Sequence, residues 1–224
     1  MNHLNWLFPF VLALSSGLNA QSIDSLYQPL PRAAVGVIHL SIFPIEGKLK
    51  ANSKLISVRK SPSTTAPTLM VLHSESDVLE VREINYEHSA AVVFERKSPW
   101  YQIETRSGKG WISAKDSEGF IPVESLLSGR MSFLRFDEWD GSIYGSPSTS
   151  SKPIQINWKV SRTGDTDAEF LEWKVIDGKP WIRVKLLAKA YCDDTTVLNK
   201  DTIGWLPAYS SKGNLVMWFY SRGC

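Results

Sequence analysis

Pro99-Trp100-Tyr101-Gln102-Ile103 runs through Arg106-Ser107-Gly108-Lys109 into Gly110-Trp111-Ile112, and the reading of this stretch decides the fold. Apolar and polar positions alternate on both sides of the turn, as in strands with one face buried. Arg106 to Lys109 reads as a tight hairpin turn, with Gly108 where a positive φ is needed. The stretch recurs: Pro180-Trp181-Ile182-Arg183-Val184 stands at an offset of 81 from the first segment. Gly204-Trp205-Leu206, with Ala208, Ser211 and Gly213, repeats Gly110-Trp111-Ile112, with Ala114, Ser117 and Gly119, at an offset of 94. Upstream, Ser61-Pro62-Ser63-Thr64 returns as Ser146-Pro147-Ser148-Thr149 at an offset of 85. Three landmarks in one order indicate a single unit written twice. The rise from 81 to 94 places a 13-residue insertion between Val184 and Gly204 of the second copy.

Outward from these landmarks, short runs rich in β-branched and aromatic residues are parted by Pro, Gly and Ser clusters. In the first copy they are Val35 to Phe43, Leu69 to Leu72, Val78 to Ile84, Ala90 to Glu95, Trp100 to Thr105, Gly110 to Ser113 and Phe120 to Val123. In the second they are Met131 to Phe136, Pro153 to Trp158, Glu169 to Val175, Trp181 to Leu187, Ile203 to Leu206 and Leu215 to Tyr220. Val123 to Leu127 suits a short helix and nothing longer is expected. The expected fold class is all-β, two small barrels in tandem over 35–127 and 131–224, each of five to seven strands. With only Leu127 to Arg130 between them, the copies are expected to touch.

Residues 1–20 read as a signal peptide: the apolar run Leu4 to Leu14 is too short to span a bilayer and leads to Ala20, a small residue suited to cleavage. An N-terminal arm, 21–34, follows, and no later segment is apolar for long enough to cross a membrane. The mature chain is expected in the periplasm or secreted. In an oxidising compartment Cys192, inside the insertion, and Cys224 suit a disulfide; intermolecular pairing through Cys224 is the alternative. The intrachain bond would close about 31 residues and contribute about 3 to 4 kcal/mol. Lys and Arg number 25 against 23 Asp and Glu, without a run of five like charges, so no nucleic-acid partner is expected.

Val58-Arg59-Lys60-Ser61-Pro62-Ser63, Trp100-Tyr101-Gln102-Ile103 and Gly108-Lys109-Gly110-Trp111-Ile112 resemble the bacterial SH3 (SH3b) family. The resemblance covers about residues 53 to 127 well and 140 to 224 more loosely, where Tyr144-Gly145 stands in the place of Val58-Arg59. It implies SH3-like barrels and, as in exported relatives, attachment to cell-wall peptidoglycan or to peptides of envelope proteins. The expected function is thus a non-catalytic binding module, the alternative a structural protein docking another exported protein or enzyme.

Chemistry finds little to work with. The mature chain has His39, His73 and His88 in the first copy and both cysteines in the second, without HExxH or clustered His spacing. Ser221-Arg222-Gly223-Cys224 resembles the S-H-G-C nucleophile segment of L,D-transpeptidases, but Arg222 replaces the histidine and no His-Gly element precedes it. Asp137-Glu138-Trp139-Asp140-Gly141-Ser142 lacks the alternate acids and distal Glu of a calcium loop. No catalytic residue, metal or cofactor is therefore expected. For ligand contact the candidates are Trp100, Tyr101, Trp139, Tyr144 and Trp181; Trp100 and Trp181 open strands beside a proline, where core and half-exposed positions stand equal. Trp111 and Trp205 are expected in the core.

Overall fold

The computed structural model describes residues 28–31, 33–43, 55–159, 165–192 and 195–223. The expected signal peptide and Cys224 lie outside them. The fold is all-β. The first half contains β1 (Gly36–Leu40), β2 (Ile56–Arg59), β3 (Thr68–Leu72), β4 (Val81–Asn85), β5 (His88–Val93), β6 (Glu95–Lys97), β7 (Trp100–Thr105), β8 (Gly108–Ser113) and β9 (Ser117–Pro122). A helical turn, Val123–Leu127, leads to β10 (Ser132–Arg135), β11 (Asp165–Ile176), β12 (Lys179–Leu186), β13 (Thr202–Pro207) and β14 (Met217–Phe219). The first half builds two antiparallel sheets, in the orders β4-β5-β1-β9 and β3-β2-β8-β7-β6; the second builds one, β13-β12-β11-β10-β14.

Hydrophobic alternation fixes how these sheets stack. Ala91 and Val93 of β5 face inward with Ile38, Val58, Ile103 and Ile112, closing a core between the two sheets of the first half. Their neighbours Ala90 and Val92 face the other way and join Leu134, Ile182, Val184 and Trp218 of the second half. The run Ala90-Ala91-Val92-Val93 is apolar without a break because its strand is covered on both faces. The helical turn that leads into the connection is core, with Val123, Leu126 and Leu127 buried in the shared cluster, whereas Ser128 and Gly129 of the connection are exposed.

The repeated landmarks occupy matching registers. Trp100 pairs with Ser113 and Ile103 with Gly110; Trp181 pairs with Pro207 and Val184 with Gly204. The Ala114 amide donates to the Pro99 carbonyl (2.8 Å), as Ala208 does to Pro180 (3.0 Å). Each Ser-Pro-Ser segment forms the same turn, Ser63 N to Ser61 O at 2.8 Å and Ser148 N to Ser146 O at 2.7 Å. Arg59 pairs with Trp111 and Tyr144 with Trp205. The counterpart of Val58-Arg59 is accordingly Ile143-Tyr144, at the offset of 85 kept by the Ser-Pro-Ser segments and one residue earlier than the expected Tyr144-Gly145. The second half keeps a β-branched residue against its glycine: a Cβ on Gly110 would meet Val58, and one on Gly204 would meet Ile143.

The halves differ elsewhere. Pro153 to Trp158, expected as a strand, forms only isolated bridges, Tyr144 with Pro153 and Trp158 with Leu198. Its alternation is nonetheless used, since Ile154, Ile156 and Trp158 pack against the shared core. Leu198 belongs to the insertion, which folds back on itself through the Val197 amide and the Ala188 carbonyl (2.8 Å). Asp167 ties that excursion down, accepting from the Tyr191 amide at 2.6 Å and from the Tyr220 hydroxyl at 2.7 Å.

Candidate functional site

The five aromatic candidates do not assemble into one surface. Trp139 and Trp181 are each 4% exposed, Tyr101 8% and Trp100 9%: of the two placements that stood equal for Trp100 and Trp181 the core one is taken, and the surface placement expected for Tyr101 and Trp139 is corrected. Trp100 opens its strand level with the last residues of both neighbours, Lys97 and Ser113, and its ring is buried all the same. Tyr101 stacks on Phe120, with ring centres 5.4 Å apart. Trp139 stacks on Phe136 at 5.4 Å, and its indole N–H donates to the Ser142 carbonyl at 2.9 Å. Only Tyr144 and Trp181 meet, edge to face at 6.1 Å.

A concavity lies elsewhere, between the halves. A cleft of about 640 Å³ is lined by Ala34 of the arm, Val35 next to it, Val123 and Glu124 of the helical turn, and Trp173, Lys179, Pro207 and Tyr209 of the second half. Trp173, in register with buried Ile182 and half-buried at the edge of the shared core, reaches it from the β11–β12 hairpin, which closes through Asp177 (φ 49°) and Gly178 (φ 72°). Both turn residues take the left-handed conformation that an Asp-Gly pair tolerates. Trp173 meets Tyr209 edge to face, with ring centres 6.3 Å apart and planes at 89°. The Tyr209 hydroxyl donates to the Ala34 carbonyl at 3.1 Å, joining the arm to the second half. Burial, and secondarily the Glu124 charge, pushes the Tyr209 phenol up to about 12, so it is a neutral donor at physiological pH.

A second hollow of about 320 Å³ adjoins the first through Pro207, Tyr209 and Ser210, and Trp139 lines it. Its buried carboxylate is already satisfied: Glu138 accepts from Ser210 Oγ at 2.6 Å and from Asn214 Nδ2 at 2.9 Å. These bonds fix the loop that carries Tyr209. The cleft thus offers apolar and aromatic surface and, among the described residues, one charge of each sign outside any ion pair, which suits binding.

The sequence reading missed Trp173 and Tyr209. The signal was present in Ile176-Asp177-Gly178-Lys179, a hairpin turn joining the strand that carries Trp173 to the next. Of the histidines, His39 Nδ1 lies 2.9 Å from the Ser89 carbonyl and Nε2 3.6 Å from Glu118, while the His88 ring stands 6.5 Å away. Among the described residues, no three or more His, Cys, Asp or Glu side chains are placed to hold a metal. No described helix is long and apolar enough to cross a membrane.

No protein-family model and no curated protein matches the chain.

Proposed function

We propose that the chain is a non-catalytic exported binding protein, built of two SH3-like barrels, that holds a short envelope peptide in the cleft between its halves. The peptide belongs either to peptidoglycan or to an envelope protein. The observation that carries this reading is the Trp173–Tyr209 pair at the cleft wall, 6.3 Å apart. Aromatic rings presented from a rigid sheet bury apolar peptide surface at low entropic cost, and backbone or charged groups nearby supply orientation. The resemblance to SH3b domains and the signal-like first 20 residues point to the compartment.

The test is co-sedimentation of the purified mature protein with isolated cell-wall sacculi at low salt, beside a titration of soluble envelope-protein digests followed by tryptophan fluorescence. Binding in one arm is expected, and Trp173→Ala should weaken it at least about tenfold while leaving Tm within a few degrees. Absence of both pelleting and a saturable fluorescence change would defeat the proposal. Loss of binding in Trp100→Phe but not in Trp173→Ala would move the site.

A further inference from the structure

The cleft carries two charges that the fold does not use. Glu124 comes from the helical turn of the first half and Lys179 follows the Asp177-Gly178 turn of the second; both line the cleft and both are exposed. Neither takes part in an ion pair among the described residues, whereas the neighbouring charges do. Asp137 holds Arg135 at 2.7 Å, and Glu138 holds Lys212 at 3.8 Å. Two exposed charges are ordinary taken singly, since water solvates them well. These two border one aromatic cleft from different halves of the chain, with the Trp173 and Tyr209 rings beside them.

That pattern selects among occupants. A polyanion would meet one lysine and be repelled by Glu124, and a wholly apolar segment would desolvate both charges without partnering either. A molecule with an ammonium group, an apolar middle and a carboxylate satisfies each. A cleft of about 640 Å³ matches a ligand of a few residues.

We infer that the cleft recognises a short zwitterionic peptide, with its amino end at Glu124, its carboxyl end at Lys179 and apolar side chains on Trp173 and Tyr209. The inference rests on the reading of this cleft as the binding site and names the ligand class it takes. Glu124 and Lys179 then set specificity by reading the two peptide ends.

The probe is the tripeptide Ala-Leu-Ala in four forms: free, N-acetylated, C-amidated and blocked at both ends. Each is titrated into the mature protein and followed by amide NMR shifts at Trp173, Gly178 and Tyr209. Blocking either end should weaken binding to the parent protein about two- to fivefold, the range of an exposed ion pair. Glu124→Gln should become indifferent to acetylation but stay sensitive to amidation, and Lys179→Gln the reverse. Both positions are exposed, so unchanged Tm in the two variants checks folding. If all four forms bind alike, the inference falls and the peptide-binding reading stands. If no form binds while sacculi still pellet the protein, end recognition falls alone; if sacculi and envelope-protein digests fail as well, both fall.

Discussion

Glu83 of β4 and Arg222, which follows β14, form a two-bonded ion pair between the halves, with Nε 2.9 Å from Oε1 and Nη2 2.8 Å from Oε2. Ser221 Oγ donates to the same carboxylate at 2.8 Å. The Glu83 side chain is only 3% exposed, so its charge depends on these partners, while Arg222 stays half in solvent over the Tyr86 ring. Arg222→Ala should therefore destabilise by about 2 to 4 kcal/mol, because a buried carboxylate loses its counter-ion. Glu83→Leu with Arg222→Leu should recover much of that loss. Urea unfolding of the single and double variants checks this, and a double variant as unstable as Arg222→Ala would refute it.

Leu30 is the apolar counterpart of that clamp. It is fully buried in the shared core, and its carbonyl accepts from the Leu215 amide at 2.8 Å. Nearby, Arg82 donates to the Pro29 carbonyl through Nε at 3.3 Å and through Nη2 at 3.2 Å. The arm before β1 thus threads across both halves. Leu30→Ala should cost about 2 to 5 kcal/mol in chemical denaturation. It should also loosen the Ala34 wall of the cleft, read as larger amide exchange at Val35. A loss below about 1 kcal/mol would mean that the arm is not structural.

The paired glycines should respond unequally. A Cβ on Gly110 would stand 2.3 Å from Val58 Cγ1 and 3.1 Å from the Arg59 carbonyl, whereas on Gly204 its closest neighbour, Ile143 Cβ, is 3.0 Å away. Gly110→Ala should destabilise by about 3 kcal/mol or more and Gly204→Ala by about 1 to 2 kcal/mol. Adding Val58→Ala should restore part of the first loss. Thermal unfolding with Gly204→Ala the worse of the two would contradict the register equivalence.

Much of the sheet architecture was legible because local rules and tertiary contacts agree at the hairpins. Trp100 to Ser113 shows its alternation, its turn and its register together, and its counterpart in the second half shows the same. What the pattern does not reveal is which face a companion covers. Ala90 to Val93 signals two buried faces, but not that one belongs to the other half of the chain. Likewise a tryptophan carries no mark of exposure: Trp139 is sheathed by Phe136 nearby and by Trp158 further along, Trp181 meets Tyr144 from another strand, and Trp173 stays half-buried at the edge of the core. The cleft is made by the meeting of arm, helical turn and second sheet, and so no single segment announces it.

Tyr209 links the cleft to stability through pH. Its folded phenol titrates at about 12 against an ordinary value of 10.0, raised first by burial and next by the charge of Glu124. The unfolded chain therefore begins to release this proton near pH 10 while the folded chain retains it. The neutral phenol's contribution is complete below about pH 10, declines as pH rises towards 12, and levels off once both states are ionised. Two pH units correspond to about 2 to 3 kcal/mol. Tyr220 is also raised, by burial first and by its hydrogen bond to Asp167 next, and so contributes an alkaline decline of its own. The informative quantity is hence the difference between the parent protein and Tyr209→Phe. At pH 8 the variant should be weaker by about 1 kcal/mol, the value of the lost bond to Ala34. Between pH 10 and 12 the gap should close and reverse, because phenylalanine has no proton to lose. Urea unfolding at pH 8, 10 and 11.5 measures it. Parallel curves across that range would show that the phenol is not buried against the arm, and the cleft wall would then need redrawing.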